Sequence, residues 1–408
     1  MEQAVSPKSF GVGPEERRND RSSALDPSAS SYPPQQPPPV SQQSKALAKR
    51  YARVKITLGI TGAFVNILLL VILVVTGATS RIEATVRGVS ENNYVALLLF
   101  VAVIGLLGTA LGAPLKYYSG FRLEHKYHLS TQRFRAWVWE GAKGMLVGLS
   151  IGIPLLLAFY YCLRTFGDSW WLVVGTLIFL LSVVLARLAP ILIFPLFYKF
   201  KPLQEGALKE AILNLCREAG MSVKGVFVFD LSKNTKKANA AFTGIGKSRR
   251  IILGDTLIAN FTDEEIETVV AHELGHFRLK HVWAMLAIGA VNSFLGLFIT
   301  AQLYRMSLSW FGFTAINQLA ALPLLSLWLG GYSLVTGPLS NMLSRAHERA
   351  ADRYAVRTSG KSEAFTNALK KLAVINLADT SPHPLVEFLF HSHPSIEKRI
   401  AAVERLGG

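Results

Sequence analysis

Long apolar runs alternate with short polar segments along most of this chain. Six runs cover residues 56–78, 94–115, 145–163, 171–194, 282–304 and 319–339. A helix needs about 20 residues to cross a hydrocarbon core of about 30 Å, and each run is close to that length. A buried core helix is the alternative for any single run, but six such runs in one chain predict six membrane-spanning helices.

Composition and charge support a membrane protein. Half of the 408 residues are hydrophobic and 17% are charged, and the mean hydropathy is +0.32. The net charge of +16 would suggest a nucleic-acid partner in a soluble protein. Because the basic residues cluster beside the apolar runs, we instead expect contact with anionic lipid headgroups and no nucleic acid. The two cysteines, Cys162 and Cys216, are too few for a disulfide framework.

The segments between the apolar runs complete the predicted domain organisation. Residues 1–44 are rich in Pro, Ser and Gln and predict a disordered tail. Membrane helices one to four follow within 45–200 and a polar α+β region at 201–281. Helices five and six lie within 282–340, and a C-terminal helical region covers 341–408.

Lysine and arginine are concentrated before the first run, between the second and third, and after the fourth. Such segments stay on the cytoplasmic side, so both termini and the regions 201–281 and 341–408 are predicted to be cytoplasmic. Runs five and six leave that face and return to it. A bacterial inner membrane is the expected location because no retention signal stands at residues 406–408, and the endoplasmic reticulum membrane is the alternative.

The sequence His272-Glu273-Leu274-Gly275-His276 is the strongest chemical signal. Two histidines four residues apart lie on one face of a helix and reach one metal ion, and Glu273 then lies near the open coordination position. Thr262 and Glu265 form a capping-box pattern that starts this helix. The alternative is a pair of unrelated histidines beside a glutamate.

A zinc site with an open position needs a third protein ligand, which is often a carboxylate. Glu348 and Asp352 are four residues apart on one predicted helical face. We assign Glu348 to the metal and Asp352 to the free N–H of a ligating imidazole. A charged, solvated helix is the alternative.

Asn239 and Ala240 begin a stretch of small residues that suits a sheet edge for a substrate backbone, or else an ordinary hairpin loop.

In order, these motifs resemble the CaaX prenyl protease 1, or Ste24-like, branch of the M48 membrane metallopeptidases. The segments 194–203 and 391–394 belong to the same series. The resemblance implies zinc ligands at His272, His276 and Glu348, a catalytic carboxylate at Glu273, a second acid at Asp352, and a chamber formed by the membrane helices. It also implies that His393 and Arg399 face the substrate carbonyls, where the residues alone indicate a helix-start turn and a solvated charge.

The predicted fold is therefore a mostly α, polytopic membrane protein with a small α+β zincin-like region. The predicted function is a zinc endopeptidase, with one zinc per chain, in which Glu273 is the general base for a zinc-bound water. Its substrate is expected to be a peptide or protein associated with the membrane. A transporter and a catalytically silent scaffold are the alternatives. The transporter predicts ionisable residues within the runs, where Arg187 is the exception among apolar positions.

Overall fold

A computed structural model of the chain describes residues 41–244 and 249–407. The predicted disordered tail therefore lies almost wholly outside the described residues. The first helix already begins at Gln42. The fifteen α-helices in the described residues are α1 Gln42–Val75, α2 Ala78–Val89, α3 Asn93–Tyr117, α4 Leu123–Lys126, α5 Phe134–Thr165, α6 Trp170–Leu188, α7 Phe194–Phe197, α8 Ala207–Glu218, α9 Asp255–Asn260, α10 Asp263–Arg278, α11 His281–Ser307, α12 Leu322–Ser359, α13 Ser362–Ile375, α14 Pro384–Phe390 and α15 Ile396–Gly407.

Six helical segments are long and apolar enough to span a membrane; five contain a predicted run in full, and the first ends at Val75, three residues before its run does. These segments are built on α1, α3, α5, α6, α11 and α12. In their most apolar windows only 6% to 28% of the residues are buried within the protein. Their apolar side chains therefore point outward, which is stable where lipid and not water is the solvent. The prediction of six membrane helices is confirmed.

The sixth membrane helix continues without a break into the segment that carries Glu348. α12 runs for 38 residues with Pro338 in its interior. Proline removes one backbone N–H, which a membrane helix tolerates when its neighbours satisfy the freed carbonyl. The predicted division between residues 340 and 341 falls inside this helix. One continuous helix thus connects the membrane to the candidate metal centre.

The polar region between the fourth and fifth membrane helices contains a four-stranded sheet. Its strands are β1 Phe200–Pro202, β2 Val226–Phe229, β3 Ala240–Thr243 and β4 Arg250–Gly254, in the order β1-β2-β4-β3. β3 pairs with β4 antiparallel, with Ala240 opposite Leu253, and it has no strand on its other side in the described residues. Ala240 thus lies in an edge strand, the first of the two alternatives that the sequence left open.

α10 lies at the centre of the polar region and is fixed at both ends. Thr262 caps its start and Glu265 completes the predicted capping box. The Glu265 carboxylate also accepts a 2.6 Å hydrogen bond from the buried Lys371 of α13. One side of α10 packs into a core with the sheet, α8 and α13, which includes Ile212, Leu253, Val270, Phe365 and Leu369. The helix carrying the two histidines is therefore held by apolar packing and by a buried ion pair.

Gly275 determines how closely α10 approaches α12. A Cβ atom at this position would lie 3.2 Å from the Ala351 Cα and 3.1 Å from the Tyr354 ring. Those distances are shorter than ordinary van der Waals contact, so only glycine permits this crossing without displacement. The close crossing brings Glu348 to the side of α10 that carries the histidines.

Candidate metal centre

Three side chains from α10 and α12 converge on one point. His272 Nε2 and His276 Nε2 are 3.2 Å apart. Glu348 Oε2 lies 3.4 Å from His272 Nε2 and Glu348 Oε1 lies 3.2 Å from His276 Nε2. Within the described residues, these three side chains form the single group of potential metal ligands. The structure thus brings together the three residues predicted as ligands.

The spacing of these atoms fits zinc. Nitrogen and oxygen ligands lie about 2.0–2.2 Å from a tetrahedral zinc ion, which separates them from one another by roughly 3.4 Å. The edges of the observed triangle are 3.2 to 3.4 Å. The buried Glu348 Oε2 also has no hydrogen-bond partner in the described chain. A buried carboxylate oxygen without a donor is suited to a cation.

A second carboxylate supports His272 from behind. His272 Nδ1 lies 2.9 Å from Asp352 Oδ1. Arg399 holds the same carboxylate through two hydrogen bonds, from Nε at 2.9 Å and from Nη2 at 2.6 Å. Asp352 is 2% exposed. Its oxygens are therefore fixed, and the Nε2 atom of His272 is directed away from it toward Glu348.

The electrostatics of these side chains reflect this arrangement. Burial lowers the pKa of His272, but the neighbouring carboxylates of Asp352 and Glu348 outweigh it and raise the pKa to about 9. Burial raises the pKa of Glu273, and the neighbouring His272 and His276 offset part of the rise. Burial lowers the pKa of Arg399, but the charges of Asp352 and Glu348 outweigh burial, so the pKa is raised. The site is therefore a closely coupled set of acids and bases.

Seven of the nine predicted site residues line one cavity of 170 Å³: Asn239, Ala240, His272, Glu273, Glu348, His393 and Arg399. The other two, His276 and Asp352, contact Glu348 and His272 respectively. His393 Nε2 lies 3.4 Å from Glu348 Oε1, and the His393 side chain is 60% exposed. The edge strand, the metal ligands and the C-terminal His393 and Arg399 therefore face the same space.

One residue of the site is missing from the sequence predictions. His281 Nδ1 lies 3.1 Å from His276 Nδ1, and the His281 side chain is buried. Its ring also stacks on His347 with centroids 4.2 Å apart. The available signal was a third histidine five residues after His276, but it falls at the start of the fifth apolar run, where a buried histidine is unremarkable.

The fold and the site define a membrane metallopeptidase: six apolar helices and a His-His-Glu group beside an edge strand. Comparisons with known proteins agree. The family model of peptidase family M48 matches residues 202–406. The model of the CAAX prenyl protease N-terminal region, with five membrane helices, matches residues 27–199. The described part of that second range holds four helices able to span a membrane.

Similar proteins cover most of the chain. The metalloprotease YhfN of Bacillus subtilis (strain 168) is 32% identical over 88% of this chain and 85% of its own length. CAAX prenyl protease 1 of Saccharomyces cerevisiae is 29% identical over 75% of this chain and 72% of its own. The crystal structure of S. mikatae Ste24p matches with a TM-score of 0.80 and 26% identity, covering 90% of this chain and 91% of that chain.

The chain belongs to peptidase family M48, in its CAAX prenyl protease 1, or Ste24-like, branch. It is an integral-membrane metalloprotease, as the sequence predicted. The transporter alternative is therefore wrong. A metal ion and a peptide substrate are implied by the family, and lipid by the six membrane helices.

Proposed function

We propose that this metalloprotease is a zinc endopeptidase with one zinc ion per chain, held by His272, His276 and Glu348. The observation that supports it is the triangle of ligand atoms with edges of 3.2 to 3.4 Å. Two imidazoles and one carboxylate leave one position open for water, which is the ligand pattern of catalytic zinc. Bound zinc would supply a Lewis acid that lowers the pKa of water and polarises the substrate carbonyl.

Glu273 is the proposed general base. It follows His272 directly on α10 and lines the same cavity. Its carboxylate accepts a proton from the attacking water and delivers it to the leaving amine. Burial raises the pKa of Glu273. A raised pKa makes the carboxylate a better proton acceptor and its acid form still able to donate.

His393 and Arg399 are proposed to face the substrate carbonyls. His393 is largely exposed on the cavity side. Arg399 is buried, and Asp352 occupies its Nε and Nη2 atoms, so its orientation is fixed. Hydrogen-bond donors held in this way stabilise the oxyanion that develops as the carbonyl is attacked.

The edge strand β3 is the proposed substrate platform. Asn239 and Ala240 line the cavity beside Glu273, and β3 has no strand on its outer side in the described chain. An extended peptide can add there as a further strand through main-chain hydrogen bonds, which hold the backbone whatever its side chains. We propose a peptide or protein substrate associated with the membrane.

The orientation in the membrane is also a proposal. The lysine and arginine bias supports a cytoplasmic location for both termini and the metal centre. The membrane that we propose is a bacterial inner membrane. The fifth and sixth membrane helices join α10 and the Glu348 segment of α12 to the bilayer. We propose that the polar region at 201–281 and the C-terminal region at 341–408 form one catalytic unit on that side.

The test is Glu273→Gln in the full chain, purified in detergent. We expect hydrolysis of a peptide substrate to fall by about 10²–10⁴-fold, since amide cannot accept the proton. Zinc content should remain one per chain, because Glu273 is not a ligand. Glu404→Gln, at an exposed position on α15, is the matched control and should keep full activity. Full activity in Glu273→Gln would refute the mechanism, and a metal-free wild-type chain would refute the zinc assignment.

A further inference from the structure

A buried histidine outside the ligand set lies against the metal centre. His281 is the first residue of α11 and its side chain is 8% exposed. Its Nδ1 atom is 3.1 Å from Nδ1 of His276, which is hydrogen-bond distance. Lys280, in the left-handed region at φ 58°, forms the turn between α10 and α11 that returns His281 to His276.

The direction of this hydrogen bond follows from the other nitrogen of His276. His276 Nε2 points toward His272 Nε2 and Glu348 Oε1, so Nε2 is the atom available to a metal. A neutral imidazole that ligates through Nε2 carries its proton on Nδ1 and must donate it. The His281 Nδ1 atom at 3.1 Å is therefore the acceptor, and His281 carries its own proton on Nε2.

A third imidazole holds His281 in place. The His347 ring lies parallel to the His281 ring, with an interplanar angle of 11° and centroids 4.2 Å apart. His347 belongs to α12 and immediately precedes Glu348. His281, at the start of the fifth membrane helix, is therefore packed against the extension of the sixth that carries Glu348. The orientation of its ring depends on both helices.

We propose that His281 is a positioning residue of the metal centre, which accepts the Nδ1–H of His276 and so fixes that ring for the metal. This inference rests on the ligand assignment of the proposed function. The two ligating histidines then have different supports: a carboxylate, Asp352, for His272 and a neutral imidazole for His276. Through His281, the geometry of the site also depends on where the fifth and sixth membrane helices meet it.

The experiment compares two substitutions, one without and one with a hydrogen-bond acceptor near the former Nδ1 position of His281. His281→Phe keeps an aromatic ring and the stack on His347 but removes the acceptor. His281→Asn places an amide oxygen near the former Nδ1 and can accept the same hydrogen bond. Zinc affinity is measured on the full chain in detergent by competition with a chromogenic chelator, and the thermal unfolding midpoint of the metal-free protein is measured beside it.

We expect zinc affinity to fall by about 10–100-fold in His281→Phe, the usual effect of losing a group that orients a metal ligand. His281→Asn should recover most of that loss, while the unfolding midpoints of the two variants stay similar. Unchanged zinc affinity in His281→Phe, or equal losses in both variants, would show that His281 does not act through this hydrogen bond.

His347→Phe separates the hydrogen bond from the stack. Phenylalanine preserves the parallel ring and removes a buried Nδ1 atom that has no hydrogen-bond partner in the described residues. Zinc affinity should therefore stay within about threefold of wild type, well short of the 10–100-fold loss expected from His281→Phe. A loss as large as that of His281→Phe would assign the effect to packing and overturn the proposal.

A reference variant distinguishes failure of this inference from failure of the ligand assignment. Glu348→Gln removes a proposed ligand and should weaken zinc binding more than any His281 variant. If Glu348→Gln binds zinc as well as wild type, the ligand set itself is wrong. If Glu348→Gln loses zinc and His281→Phe does not, the ligand set holds and only the positioning role fails.

Discussion

The catalytic unit of this protein buries ionisable side chains, whereas its membrane helices expose large apolar ones. In the catalytic unit, ionisable groups such as Lys371, Asp352 and Arg399 are at most 9% exposed and are paired. On the membrane helices, large apolar side chains such as Leu106 and Val335 are 70% and 71% exposed. The first arrangement depends on specific partners and the second on lipid as solvent. Single substitutions should therefore have large effects in the catalytic unit and small effects on the lipid-facing surface.

Loss of the buried cation of α13 should have the largest effect on stability. Lys371 is 4% exposed and pairs with Glu265 at the start of α10. Lys371→Ala leaves Glu265 buried without its partner, which costs about 3–5 kcal/mol. Chemical denaturation in detergent measures the loss. Lys209→Ala breaks the ion pair with the exposed Glu205 and should cost about 1 kcal/mol or less. Equal losses in the two variants would show that burial of an ion pair does not determine its contribution to stability.

Two glycines, each at a helix crossing, allow the catalytic unit and the membrane helices to be compared. Gly275 faces the Ala351 backbone in the catalytic unit, and Gly296 of α11 faces the Tyr332 ring in the membrane bundle. Alanine at either position should cost about 1–3 kcal/mol through overpacking. Gly275→Ala should also weaken zinc binding, because it displaces the helix that carries Glu348, whereas Gly296→Ala should not. Zinc titration of both variants decides the point, and unaltered affinity in Gly275→Ala would contradict it.

Asp352→Asn should affect the metal more than the fold. The amide keeps the shape of the side chain but loses the charge that faces His272 and Arg399. We expect zinc affinity to fall by about 10–100-fold, measured by chelator competition. Asp168→Asn is the control, because its ion pair with Arg305 is exposed and distant in sequence from the site. Zinc binding by Asp352→Asn at wild-type strength would show that the carboxylate does not support the ligand.

The lipid-facing surface should give the smallest effect. Leu106→Ala on α3 removes an exposed side chain and should change the free energy of unfolding by about 0.5 kcal/mol or less. Leu369→Ala on α13 makes the same chemical change where the side chain is 1% exposed and should cost about 2–5 kcal/mol. Denaturation of both variants in the same detergent measures the difference. A large loss in Leu106→Ala would mean that this surface packs against protein.

Much of the site could be predicted because helical periodicity places residues four apart on one face. That rule put His272 beside His276 and Glu348 beside Asp352 before any tertiary contact was known. The capping box at Thr262 and Glu265 is local for the same reason, and the structure contains it. The roles of His393 and Arg399 rested on resemblance alone. Both residues reach the cavity through contacts between the C-terminal segment and α12, and local spacing does not predict such contacts.

Other features depend on contacts between distant segments. The end of the sixth apolar run suggested a division near residue 340, yet α12 is continuous there. His281 and Lys371 are ordinary residues until helix packing brings His347 of α12 against His281 and Glu265 of α10 against Lys371. No periodic pattern encodes these contacts, because they depend on how separate helices cross.

The sequence by itself determined the membrane helices, the helix that carries the two histidines and the chemistry of the ligand set, since these depend on hydropathy, local spacing and side-chain type. Tertiary structure alone decided how close the ligands come and what fixes them. Gly275 allows α10 and α12 to approach until the three ligand atoms are 3.2 to 3.4 Å apart. Such distances result from the close packing of whole helices, which no short stretch of sequence specifies.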